Sequence, residues 1–109
     1  MRYRILLTDA VHDDLREIKY HFNQILKSPD TGKTLLQKIK EGMKSLSHMP
    51  QRHTISDPEL ASMGIRAFPV NNYIIFYVIS KKEVTVFRVI HGSRNWVELI
   101  GSNETHAES

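Results

Sequence analysis

Residues 2–7, RYRILL, alternate along the chain, with Tyr3, Ile5 and Leu7 on one side and Arg2, Arg4 and Leu6 on the other. A period of two is what a β-strand with one buried face requires. The period changes at TDA. Thr8 or Asp9 can accept hydrogen bonds from the unpaired N–H groups of a helix start, and Asp9, Asp13 and Asp14 place negative charge near its positive dipole end. From there Val11, Leu15, Ile18, Phe22, Ile25 and Leu26 recur every three or four residues, predicting one long helix with a single apolar stripe. KSPDTG ends it, because Pro29 cannot continue a helix interior, whereas Ser28 or Asp30 can cap a new helix.

The second stripe is Leu35, Leu36, Ile39, Met43 and Leu46, with lysines 38, 40 and 44 at the other positions. Two amphipathic helices with a short connection predict an antiparallel hairpin. Gly42 within the second costs up to about 1 kcal/mol relative to alanine, which suggests close packing against the first. MPQRHTISDPELASMG shows no sustained period, and only residues 57–62 suggest a helical turn.

IRAFPVNNYIIFYVISKKEVTVFRVI then reads as three strands rich in β-branched and aromatic residues. Asn71-Asn72 and SKKE supply the two tight turns, so neighbouring strands should be antiparallel. Tyr73 to Ile79 is apolar throughout and should form the central strand, covered on both faces. Pro69 lacks a ladder donor, which places its strand at or near an edge. Beyond His91, Ser93 can cap a short helix whose Trp96, Leu99 and Ile100 fold back on the sheet.

The predicted fold is therefore α+β, in the order β-α-α-β-β-β with an optional short C-terminal helix. A helical hairpin packs on one face of an antiparallel-rich sheet, and the other face is left for function. Residues 1–101 read as a single domain and 102–109 as a flexible polar tail.

Composition narrows the function classes. The 109 residues contain no cysteine, which excludes disulfides and cysteine-ligated zinc. The N-terminus lacks the apolar core of a signal peptide, and no apolar run reaches membrane-spanning length, so a cytoplasmic location and no membrane association are expected. The net charge is +3, and Glu104 and Glu108 lie in the tail, without which the balance is 15 basic against 10 acidic residues. This bias suits an acidic protein or a nucleic acid as partner, and equally a solvated surface with excess lysine. His48 and His53 are separated by four residues including Pro50, with no third ligand nearby, so no metal is expected. No phosphate-binding glycine loop or serine nucleophile elbow is present, and no cofactor is expected.

Several segments together resemble the RelE/ParE superfamily of toxins from type II toxin–antitoxin systems. They are the opening YRILLTDAVHDDLREI, a second helix of the form L..I..G...L...P, the strand pair R..PV..Y.I.Y.V built on Arg66, Pro69, Val70, Tyr73, Ile75, Tyr77 and Ile79, and RVIHGSRNW. The resemblance runs from about Tyr3 to Trp96. It implies a RelE-like fold, a cognate acidic antitoxin held in a hetero-oligomeric complex, and one of two activities. ParE-like members poison DNA gyrase, whereas RelE-like members cleave mRNA on the ribosome. RVIHG followed by arginine is more similar to the ParE branch, which points to a toxin of a plasmid-stabilisation type of system that acts on gyrase, with a metal-independent endoribonuclease as the alternative.

The ribonuclease alternative would need a general base, cations for the phosphorane and an acid for the leaving oxygen. Arg66, His91 and Arg94 are the candidate catalytic residues for it. Arg88 and Arg52 are candidate phosphate or antitoxin contacts, and Trp96 a candidate interface residue. Each has a structural reading as well. Arg88 can pair with a carboxylate such as Glu17 or Glu98, His91 can be a satisfied turn histidine, Trp96 can lie over the core, and Arg66 can be a solvated edge charge. Strand alternation separates Arg88 and Ile90 from Phe87, Val89 and His91, so Arg88 and His91 share a groove only if the strand ends or bulges between them.

Overall fold

The computed structural model describes residues 2–100. Strand β1 (Arg4–Leu7) leads into helix α1 (Asp9–Tyr20), a π-helical turn (His21–Ile25) and helix α2 (Pro29–Ser45). A 3-10 turn (Pro50–Arg52) and the short helix α3 (Pro58–Ser62) follow, then strands β2 (Ile65–Val70), β3 (Tyr73–Ser80) and β4 (Glu83–His91). Residues 96–100 are helical. The sheet order is β1-β4-β3-β2, with β4 antiparallel to β3, β3 antiparallel to β2, and β1 parallel to β4. The expected polar tail, 102–109, lies outside the described residues.

Local chemistry explains the elements. The Thr8 side chain accepts from Val11 N at 3.3 Å and caps α1. Pro29 occupies the first turn of α2, where its missing N–H removes only a bond that the helix start would lack anyway. Asn71 and Lys81 take the positive φ values, 55° and 57°, that the two hairpin turns require. β3 is central and β2, which carries Pro69, is an edge strand, as their composition predicts.

The helical hairpin covers one face of the sheet around Val11, Ile18, Leu35, Ile39, Met43, Leu46, Ile75, Tyr77, Val84, Val86 and Val89. The opposite face is not left open. Ile55 from the connector, Leu60 from α3, and Trp96, Leu99 and Ile100 from the terminal turn cover Ile65, Phe76 and Ile90 there and form a second core. That cover was hidden in the sequence because the connector contributes two isolated anchors rather than a periodic stripe. Asn95, not Ser93, caps the terminal turn: its Oδ1 accepts from Glu98 N and its Nδ2 donates to the Glu98 carboxylate.

The first apolar stripe also ends early. Within the π-helical turn Leu26 N donates to His21 O, and the wider turn rotates the following positions away from the core. Ile25 and Leu26 are consequently 59% and 49% exposed. The hairpin closes at Gly32 rather than at Gly42, because a Cβ on Gly32 would sit 2.5 Å from Phe22 Cβ, whereas Gly42 packs on the sheet, against Val70, Ile75 and Phe68. Gly32→Ala is expected to destabilise the fold by about 1–2 kcal/mol, since overpacking of about 1–3 kcal/mol exceeds the helix-propensity gain of up to about 1 kcal/mol. A Cβ on Gly42 would meet Val70 Cγ2 at 2.9 Å and the side chains of Ile75 and Phe68 at 3.3 and 3.4 Å, so Gly42→Ala should cost less than Gly32→Ala. Urea midpoints of the two variants in the reverse order would refute this reading.

Candidate functional site

α1 crosses the outer edge of β4, and the reason lies in Asp14. β1 pairs with only the first half of β4, from Glu83 to Val86, leaving the second half without a strand neighbour on that side. Thr8 and Asp14 take the strand's place. Thr8 Oγ1 donates to Phe87 O, and the Asp14 carboxylate accepts Val89 N at 2.9 Å. The same carboxylate accepts from Arg88 Nε at 2.9 Å and from Arg88 Nη2 at 3.1 Å. Asp14 is 7% exposed. Arg88 thus has a carboxylate partner, but it is Asp14 and not Glu17 or Glu98. The spacing 11, 14, 18 places Asp14 on the buried stripe of α1, a signal masked by reading it as one more acid at the helix start.

A bulge lies at Phe87, where Val86 pairs with Tyr77 and Arg88 with Phe76. It precedes Arg88, so alternation is regular from Arg88 to His91 and keeps those two side chains on opposite faces. His91 pairs with Tyr73 across the strands, their rings edge to face at 5.0 Å. Ser93 N donates to His91 Nδ1 at 3.1 Å. The Ser93 hydroxyl lies 2.8 Å from the same nitrogen, so Nδ1 is engaged within its own turn.

His91, Arg94, Tyr73 and Asp14 line an open groove of about 920 Å³ between α1 and the end of β4. Arg94 is exposed. The groove's outer rim carries the exposed side chains of Tyr20 and Ile25. Tyr73, His91 and His21 also face a second groove, of about 700 Å³, bounded by α2 and the Asn71-Asn72 turn.

Arg66 lies elsewhere. It pairs with Tyr77, four positions along β3 from Tyr73, so it sits roughly 13 Å along the sheet and about 10 Å across it from His91. Its Nη1 donates to Gln51 O at 2.9 Å and to His53 O at 2.8 Å. Tyr77 Oη donates to Pro50 O at 2.6 Å, and His53 stacks on Phe68 at 4.1 Å. Together these contacts clamp the connector to the sheet. Arg52 is exposed and donates to His53 Nε2; burial first, and then the Arg52 charge, hold His53 below its ordinary pKa. Trp96 is half-buried, its ring 5.4 Å from Phe76, as a cover for the second core. The structure brings His91 and Arg94 to one groove and does not bring Arg66, Arg88 or Arg52 to it.

Burial pushes the Tyr77 hydroxyl up to about 12, against a smaller opposing effect of Arg66 and Arg52. A pKa raised in the folded state gives stability that is fully present below the unfolded value of about 10 and lost as pH rises through the folded value. Stability should fall between about pH 10 and 12 in the wild type, and Tyr77→Phe should remove that component. Ultraviolet tyrosinate titration checks it. One of the four tyrosines should ionise last, and this late step should vanish in Tyr77→Phe.

A third groove, of about 570 Å³, runs between α1, α2 and β1. Ile5, Leu7, Leu15, Leu36 and Met43 contribute its apolar lining, and Arg16, Lys19, Lys40 and Lys44 its charge, with His12 beside them and no carboxylate among the lining residues. Among the described residues no cluster of three His, Cys, Asp or Glu side chains is positioned to hold a metal, and no helix is long and apolar enough to cross a membrane.

Residues 5–96 match the family model described as the ParE toxin of the type II toxin–antitoxin system parDE. The chain belongs to the ParE toxin family. No curated protein matches it. The fold of this ParE-family chain is similar to a chain of the chromosomal ParDE toxin–antitoxin system from P. aeruginosa, at 18% identity and a TM-score of 0.68, covering 83% of this chain and 96% of the other. It is also similar to a chain of the toxin–antitoxin complex RelBE2 from Mycobacterium tuberculosis, at 22% identity and a TM-score of 0.63, covering 84% and 92%. Both branches therefore share the ParE-family toxin's architecture, and the side chains must decide the activity.

Proposed function

We propose that this ParE-family toxin stops growth in the cytoplasm by docking on DNA gyrase and trapping its cleaved-DNA state, and that a cognate antitoxin neutralises it. The observation that carries this reading is the dispersal of the nuclease candidates. Arg66 is engaged by the connector, Arg88 by Asp14, and His91 Nδ1 by the Ser93 turn. Metal-independent RNA cleavage needs a base and phosphate-binding cations around one scissile bond, and this arrangement favours a binding module instead.

The third groove supports the antitoxin half of the proposal. An apolar floor with a basic rim is complementary to an amphipathic helix that carries carboxylates along its edges. The ParDE and RelBE2 structures are both of toxin–antitoxin systems, which supports a hetero-oligomeric complex here.

The test is a supercoiling assay on relaxed plasmid with purified protein, repeated with the antitoxin added back. Antitoxin-reversible inhibition with linear, protein-linked DNA is the expected result. His91→Gln should retain inhibition within about three-fold, because a docking histidine outside the contact centre contributes little. Cleavage of mRNA on ribosomes, abolished by the same variant, with no effect on gyrase, would overturn the proposal in favour of a RelE-like ribonuclease.

A further inference from the structure

The second groove, between α2, the π-helical turn and the Asn71-Asn72 hairpin turn, has a chemistry that docking on gyrase does not account for. Phe22, Tyr73 and His91 are among its lining residues. The α2 wall presents Asp30, Thr34 and Lys38 at successive four-residue intervals, which stacks them on one helix face. Asp30 and Lys38 are separated by eight residues, or about 12 Å of helix, a length that matches an extended mononucleotide from base edge to phosphate.

The order of groups along this wall fixes a polarity. Gly42, one turn beyond Lys38 on α2, touches Val70, the residue before the Asn71-Asn72 turn, so the Lys38 end of the groove adjoins the two asparagines. At the opposite end, near Asp30, Gly32 touches Phe22. One end thus offers an ammonium and two carboxamides, groups that donate to phosphate oxygens. The other offers a carboxylate, which accepts from an exocyclic amine, and the Thr34 hydroxyl lies midway, at sugar height. The aromatic ring of Phe22 at the Asp30 end suits a planar base, since base–aromatic stacking tolerates many bases and favours large ones.

We propose that this groove binds a purine nucleotide unit, its phosphate held by Lys38 with the Asn71 and Asn72 amides, its sugar at Thr34, and its base against Phe22 near Asp30. The unit is either a free mononucleotide or an unpaired nucleotide of a single strand. This inference does not depend on gyrase as target, because it rests on the groove's lining alone.

Calorimetric titration of the full-length protein tests it, using AMP, ribose 5-phosphate, inorganic phosphate and a short single-stranded oligodeoxyadenylate as probes. AMP should bind at least about ten-fold more tightly than ribose 5-phosphate or inorganic phosphate, Lys38→Glu should weaken AMP by about ten-fold or more, and Thr34→Val by about three- to ten-fold, as loss of a charged and of a neutral hydrogen bond does. Both positions are exposed on α2, so unchanged thermal unfolding separates lost binding from lost fold. Tighter binding of the oligonucleotide than of AMP, with the same variant sensitivity, assigns the site to a nucleic acid strand; the reverse assigns it to a free nucleotide. Absence of AMP and oligonucleotide binding at millimolar concentration, equal affinity for phosphate and AMP, or binding untouched by both variants would overturn the proposal. The supercoiling assay is read independently, so failure here leaves the gyrase reading standing, and the converse holds.

Discussion

Asp14→Ala is expected to destabilise the protein by about 3–5 kcal/mol, the range found when one partner of a buried ion pair is removed. The substitution strips the guanidinium of Arg88 of its bidentate partner and at the same time orphans Val89 N–H, a backbone donor on a strand edge that no other strand covers. Either loss alone costs about 1–3 kcal/mol. The ion pair is not entirely desolvated, since the Arg88 side chain is 18% exposed, which places the expectation toward the lower end of the range. Asp14→Asn separates the two contributions: an asparagine oxygen can still accept from Val89 N but carries no charge for Arg88. It should fall between alanine and wild type in urea unfolding. A variant Asp14→Ala within about 0.5 kcal/mol of wild type would mean that water replaces the carboxylate at that edge, and that α1 is held to β4 by apolar packing alone.

The second large effect is expected at the groove between α1, α2 and β1. Lys40 and Lys44 are exposed and lie one helical turn apart on its rim. Reversing both, Lys40→Glu with Lys44→Glu, leaves the apolar lining intact and turns attraction for an acidic partner into repulsion. At roughly 1–1.5 kcal/mol per reversed charge, antitoxin affinity should fall by about 100-fold, mostly through slower association. Because rim charges are screened, the deficit should shrink as ionic strength rises toward 1 M. Activity toward the target should persist, so cells expressing the variant with antitoxin should fail to grow where wild type is rescued. Antitoxin binding that is unchanged in low salt would remove this groove as the neutralisation surface.

Strands and helices were legible in the chain because their periods are undisturbed. Tyr73 to Ile79 has no polar position and sits at the centre, Pro69 lies on an edge, and the lysines of α2 face solvent. Three features were not legible, each for a physical reason. The exposure of Ile25 and Leu26 depends on one wide turn, which leaves hydrophobic spacing intact in sequence while rotating it in space. The second core depends on Ile55 and Leu60, two anchors in a segment without period, so the sheet face they cover looked open. Arg66 and His91 share a sheet face, but their separation is a matter of register across three strands, and register followed from hairpin turns only for neighbouring strands. The candidate site was therefore legible as a set of residue types and not as a set of neighbours. Its one buried acid, Asp14, was visible in the helical spacing yet gave no hint of which strand it would meet.

The placement of β4 between β1 and β3 has a consequence for when this protein comes into being. β1 and β4 are 79 positions apart at their first pair, Arg4 with Glu83, so the sheet has no interior until translation has passed β4. A fragment ending before Glu83 has a hairpin of helices on the β2–β3 ribbon, but its first strand has no strand partner and β3 is left as an edge. Contacts so distant in sequence also form late and slowly. Synthesis at about 5–20 residues per second thus imposes a delay of several seconds between the first strand and the strand that completes its sheet, and prematurely terminated products never complete it.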